Sequence, residues 1–172
     1  MSAEITVSAA AGSRTIIRSA NWRDLNAVRG LEQRCFQKDA WPLWDIIGVL
    51  TMPNIVRLKA TSNDALVGFI AGEVHDGDHG VAARVAWIST VAVLPEYRGQ
   101  GIGTALMKAC EERLSTATVR LSVRRSNTGA IRLYEALGYH PVETWVRYYQ
   151  DSEDALVLEK PLRPPAAGMG RL

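Results

Sequence analysis

Six residues between a strand pattern and a helix pattern carry the first chemical signal: Arg98-Gly99-Gln100-Gly101-Ile102-Gly103. Before them lies an apolar, β-branched run from Trp87 to Val93, which reads as a buried strand. Pro95 stops that strand. After them Ile102, Leu106, Cys110 and Leu114 recur every four residues, one face of a helix. A strand, glycine-rich turn and helix leave the first N–H groups of the helix unpartnered at its positive dipole end, and that geometry binds anions. A nucleoside-triphosphate loop is excluded, because no Lys follows these glycines. The dinucleotide pattern G-x-G-x-x-G fits at Gly99 and Gly101 but meets Thr104 in its third place. No acidic residue ends the next strand to hold a ribose either.

The R-x-x-G-x-G run, following a strand and a short Pro-containing loop, resembles the coenzyme A pyrophosphate loop of the GNAT superfamily of N-acetyltransferases. Downstream, Leu121 to Tyr139 resembles that family's N-x-x-A-x-x-L-Y-x-x-x-G-[FY] segment, with Asn127, Ala130, Leu133, Tyr134, Gly138 and Tyr139 at the matching places. It is especially similar to the RimI-type and related protein N-terminal acetyltransferases. The closing R-Y-Y-Q-D-S-E-D-A resembles the last hairpin of the same enzymes. The resemblance covers Arg14 to Leu162. It implies an α/β chain with the GNAT (acyl-CoA N-acyltransferase) fold: a central mixed, mostly antiparallel seven-stranded sheet with four helices. One parallel strand pair is splayed at the cofactor crevice.

Roles follow from the resemblance residue by residue. The cosubstrate is acetyl-CoA, with CoA as product and no metal. Backbone groups of Val91, Ala92 and Val93 would pair with the pantetheine arm like an added strand. N–H groups of Arg98, Gly99, Gln100, Gly101, Ile102, Gly103 and Thr104 would hold the pyrophosphate, with the Arg98 side chain beside it. Asn127 would contact the coenzyme arm, and Tyr134 would lie near its sulfur as general acid. A phenol of ordinary pKa about 10 can protonate or hydrogen-bond a thiolate of about 8.5. The competing explanation is that Tyr134, spaced with Ala130, Ile131 and Leu137, only packs a helix face.

The acceptor groove is expected between the first helix-loop-helix, with Phe36, Trp41 and Trp44, and the last hairpin, with Tyr148 and Tyr149. Adjacent tyrosines on a strand face opposite sides, so one of them lines the groove unless a bulge intervenes. Core anchoring is the alternative for the two tryptophans. The base is where this chain departs from the family. Ser122 stands where RimI-type enzymes carry Glu and related enzymes carry His, and Trp87 fills another base position. Either a carboxylate such as Glu32, Asp39 or Glu73 acts through water, or little base is needed. The second option favours an α-amine of pKa about 8 over a lysine side chain of about 10.4. Three acceptor readings follow: a protein or peptide N-terminus, a small amine such as an aminoglycoside, polyamine or amino acid, or none, in a non-catalytic acyl-CoA-binding module.

The remaining pattern is consistent with one domain over 14–162, flanked by flexible tails at 1–12 and 163–172. Asn21 and Asp24 read as a capping box, followed by an apolar stripe Leu25, Val28, Leu31, Cys35. Strands are expected at Asn54–Ala60 and Leu66–Val74, then Val119–Val123, Pro141–Tyr149 and Asp154–Glu159. Helices are expected at Trp44–Leu50 and Thr128–Leu137. In a chain of 172 residues, a net charge of +2 argues neither for nor against nucleic acid, no Lys/Arg run of five or more appears, and no nucleic-acid partner is expected. No apolar run reaches membrane-spanning length. Two stripe cysteines without a secretory leader fit reduced thiols in the cytoplasm. His75 and His79, flanked by Gly77 and Gly80, read as solvated turn residues and not as a metal site. Whether the chain is a monomer or a homodimer is left open by the sequence.

Overall fold

The apolar spacings become strands and helices close to where the sequence places them. The structure, a computed structural model, describes residues 5–8, 14–36, 39–75 and 84–162. Its elements are β1 (Ile5–Ser8), β2 (Arg14–Ser19), α1 (Leu25–Phe36), α2 (Leu43–Thr51), β3 (Ile55–Ser62), β4 (Ala65–His75), β5 (Val85–Val93), α3 (Ile102–Leu114), β6 (Thr118–Arg124), α4 (Thr128–Ala136), β7 (His140–Trp145) and β8 (Ala155–Pro161). The seven strands that the resemblance implies are present, and among the described residues β1 is an eighth. The chain divides into two compact units, residues 1–73 with 88–113 and residues 74–87 with 114–172. The crossover helix α3 carries the chain from the first unit to the second.

In the first unit the strands run in the order β1-β2-β3-β4-β5. Successive pairs from β1 to β4 are antiparallel. Asn63 and Asp64 both take positive φ, 47° and 62°, as a two-residue hairpin turn requires. Ile17, Leu58, Phe69 and Ile70 on the strands are buried, as are Val28 and Leu31 of α1, Ile46 of α2 and Leu106 of α3. A Cβ at Gly68 would lie 3.0 Å from Leu106 Cδ1 and 3.3 Å from the Ala92 carbonyl oxygen, so α3 can lie against β4 only because that side chain is missing.

In the second unit the order is β6-β8-β7, both pairs antiparallel. The Asn127 side chain caps α4 by accepting the Ala130 N–H at 3.2 Å. Gly138, at φ 92°, stops it. Val119, Leu121, Val157 and Leu158 form the buried strand faces, joined by Tyr134 and Tyr139.

Three expectations need correction. Residues 5–8 are not a loose tail: they pair with β2, Ile5 opposite Ile17 through Ser8 opposite Arg14. The strand expected at Pro141–Tyr149 stops at Trp145, so Tyr148 and Tyr149 lie in the β7–β8 loop, where strand alternation does not govern them. Trp44 does not anchor a core; it is 78 % exposed on α2. The turn read as solvated around His79 lies outside the described residues, as does the C-terminal tail.

Candidate active site

The glycine turn is built as its sequence demands. Leu94 N–H donates to the Val67 carbonyl at 2.9 Å, tying the end of β5 to β4. Pro95–Tyr97 then makes one 3₁₀ turn. Gly99 and Gly101 take φ of 74° and 78°, left-handed backbone that costs a side-chain-bearing residue about 1–2 kcal/mol. The first α3 bond runs from Ala105 N–H to the Gly101 carbonyl at 3.0 Å, so the N–H groups of Ile102, Gly103 and Thr104 precede the helical ladder. Nothing lies within 4 Å of where a Cβ would stand at Gly99 or Gly101. Open, backbone-lined space beside unladdered amides at the positive end of a 13-residue helix fits a diphosphate. The Arg98 side chain is folded back, its Nε donating to the Val93 carbonyl at 3.0 Å. Cys35 Sγ donates to the same oxygen at 3.4 Å. That carbonyl is therefore engaged, and the rest of the Val91–Val93 backbone is what an added arm could use.

Beside this strand lies a buried acid. Glu32 of α1 is 1 % exposed. Its Oε1 accepts the Thr90 hydroxyl at 2.9 Å, and its Oε2 is buried without a hydrogen bond. Burial raises the Glu32 pKa, opposed by the Thr90 hydrogen bond and the nearby Trp41 backbone N–H. A raised carboxyl contributes stability fully below the ordinary Glu range and loses it as pH rises through the raised value. Asp39 and Glu73, the other carboxylates considered, are only partly buried. Burial also pushes the Cys35 thiol up against the pull of Arg98, and Cys110 up to about 12. Both cysteines are free, as the sequence implies.

The second unit holds the phenol and an aromatic series. Tyr134 is 5 % exposed and packs its ring at 5.9 Å on Tyr139. Burial, with a smaller push from Tyr149, moves its pKa well above the usual phenol range, so it stays protonated at working pH. It can donate a hydrogen bond to a thiolate more readily than surrender its proton. Asn127 spends its side-chain oxygen on the α4 cap, which leaves its NH₂ for a ligand. Trp87 stacks on Trp145 at 5.6 Å, Trp145 meets Tyr148 at 5.0 Å, and Tyr148 meets Tyr149 edge-on at 5.2 Å.

Arg124 fixes this series from behind. Its guanidinium lies 3.9 Å over the Tyr149 ring and binds both Asp151 oxygens at 3.0 Å and Glu153 at 2.6 Å. Glu153 also accepts the Ser126 N–H at 2.7 Å. Arg124 and the Ser126 contacts hold the Asp151 and Glu153 carboxyls below their usual range. Arg124→Ala is expected to raise the KM for a peptide acceptor about tenfold and leave that for acetyl-CoA unchanged. Steady-state kinetics with each substrate varied in turn would show the split.

Val91, Ala92, Val93, Arg98–Thr104, Phe36 and Trp41 thus fall in the first unit, and Asn127, Tyr134, Tyr148 and Tyr149 in the second. Sequence reasoning undervalued Glu32, although its place four residues after Val28 and three before Cys35 puts it on the apolar face of α1. It did not signal Thr90, Trp145 or Arg124. Partnerships across the chain do not show in spacing. Among the described residues no cluster of three or more potential metal ligands occurs, and no helix is long and apolar enough to cross a membrane.

An unladdered helix start after a glycine turn and a buried tyrosine suit an acyl-CoA-dependent transferase. The chain belongs to the acetyltransferase (GNAT) family, whose model matches residues 22–139, and it is an acetyl-CoA-dependent N-acetyltransferase with the GNAT fold. It is 35 % identical over 158 residues to an uncharacterized N-acetyltransferase of Methanocaldococcus jannaschii, covering 89 % of this chain and 95 % of that protein. The ribosomal-protein-S18-alanine N-acetyltransferase from Escherichia coli superposes with a TM-score of 0.76 at 28 % identity, covering 90 % of this chain and 98 % of that one. Arabidopsis thaliana Naa50, solved with the bisubstrate analogue CoA-Ac-MVNAL, gives 0.71 at 25 % identity, covering 86 % and 99 %.

Proposed function

We propose that the acceptor is the N-terminal α-amine of a protein or peptide, acetylated by direct attack on the thioester in a ternary complex. The observation that carries this is the braced Tyr148-Tyr149 loop. Its carboxylates Asp151 and Glu153 are already held by Arg124, and Asp154 by Arg125 and the Arg147 N–H. A polyamine or aminoglycoside needs acidic groups to spare, and here they hold the loop together. The loop also exposes an aromatic ring, Tyr148 at 54 %, which suits the amphipathic backbone of a peptide. The ribosomal-protein-S18-alanine target of the E. coli enzyme and the peptide arm of the Naa50 analogue support the same class. Two reduced thiols fit a cytoplasmic setting.

Acetyl-CoA supplies the activated acetyl group. The Ile102, Gly103 and Thr104 amides hold the diphosphate, and the β5 backbone before Leu94 orients the arm. As the amine nitrogen bonds to the acetyl carbon and the C–S bond breaks, the Tyr134 hydroxyl donates a hydrogen bond to the departing sulfur. CoA release should be measured with peptides differing in their first two residues, and with spermidine, an aminoglycoside and free amino acids. Peptide kcat/KM is expected to exceed every small amine by at least about 100-fold. A small amine that outperforms all peptides would refute the acceptor class while leaving the transferase intact.

A further inference from the structure

We infer that Glu32 is the proton acceptor of this enzyme, working through the Thr90 hydroxyl in place of the base missing at Ser122 and Trp87. The inference rests on the amine-acetylation reading above. Three observations converge. Thr90 immediately precedes Val91–Val93, the backbone assigned to the thioester arm, and its Oγ1 donates to Glu32 Oε1 at 2.9 Å. Glu32 also lies by the Trp41 backbone, in the connection expected to line the acceptor groove. Its second oxygen is buried and makes no hydrogen bond of ordinary geometry, with only the Trp41 backbone N–H close to the carboxyl. An unsatisfied buried acceptor costs about 1–3 kcal/mol, more if charged. A structural carboxylate in a fold of this size would be expected to find a partner for both oxygens.

The proton route balances. An ammonium N–H passes its proton to Thr90 Oγ1 as the Thr90 hydroxyl proton moves to Glu32 Oε1. The nitrogen lone pair is then free to attack the acetyl carbon. The second proton that the nitrogen sheds as the C–S bond breaks goes to the departing thiolate to give CoA–SH, and Glu32 returns its proton to solvent after product leaves. The groups facing Glu32 are Cys35 on its own helix, Thr90 on β5 and the Trp41 backbone. Among the described residues no cation pairs with it. Burial therefore dominates, and places its proton affinity nearer that of an amine than an exposed Glu could reach.

The test is the pH dependence of kcat/KM for the best peptide in wild type, Glu32→Gln and Thr90→Val, with thermal unfolding of each across the same range. Without an internal acceptor only amine already neutral in solution reacts. Both variants should then lose about 100-fold near pH 6.5 and regain most of it above pH 8, near the α-amine pKa. Glu32→Gln, lacking a raised carboxyl, should also flatten the pH dependence of unfolding relative to wild type. A deficit of equal size at every pH, or no deficit in a folded variant, would overturn the relay. Should Glu32→Gln not fold, Thr90→Val alone decides by the same criterion. A wild type that acetylates no α-amine would instead defeat the acceptor reading, a separate outcome.

Discussion

Gly101→Val is expected to fold and to lose acetyl-CoA affinity by at least about 100-fold. Two separate features of the turn give that result. A Cβ at Gly101 meets nothing within 4 Å, so no protein atom resists the substitution. Its φ of 78° does, because a β-branched residue in left-handed backbone costs about 1–2 kcal/mol, or a few degrees of melting temperature in a chain this long. If the turn keeps its shape, the valine occupies the space where backbone must approach a diphosphate. Relaxation of the turn instead re-aims the amides at Ile102–Thr104. Binding fails either way. Calorimetric titration with acetyl-CoA, beside a melting curve, separates lost binding from lost fold, and wild-type affinity in the variant would remove the loop from the site.

Tyr134→Phe is expected to lower kcat by about 10²–10³ and to leave the KM for acetyl-CoA within about twofold. The phenyl ring still packs on Tyr139, so the fold persists and only the hydroxyl is lost. Because burial holds the Tyr134 proton above the ordinary phenol range, wild-type kcat should show no decline from this group up to about pH 10. Replacement by Phe should slow the chemical step at every pH below that. Single-turnover acetylation measures the step directly, and a variant as fast as wild type would leave Tyr134 as packing alone.

Local patterns were the legible part. The four-residue spacing of Ile102, Leu106, Cys110 and Leu114 marks α3, and all four are buried. Asn127 and Gly138 mark the two ends of α4 as the sequence indicates. β1 was not legible: Ile5-Thr6-Val7-Ser8 is rich in β-branched residues, but a run of four becomes a strand only when β2 offers an edge. The loop conformation of Tyr148 and Tyr149 was hidden for a related reason. It is set by Arg124, which lies 25 residues away from Tyr149 in sequence yet 3.9 Å from its ring. Glu32 shows the same limit from the other side: its composition class says surface, and only the packing of α1 against β5 makes it a buried acid bonded to Thr90.

Backbone amide NMR of the isotope-labelled protein during titration with CoA addresses the glycine turn most directly. The largest shifts are expected at Gly99, Gly101, Ile102, Gly103 and Thr104, saturating at one equivalent and weakened when the diphosphate is removed from the probe, as with pantetheine. Saturable CoA binding that leaves those amides unmoved, or that is equally tight without the diphosphate, would contradict the assignment of this helix start as the coenzyme's anchor.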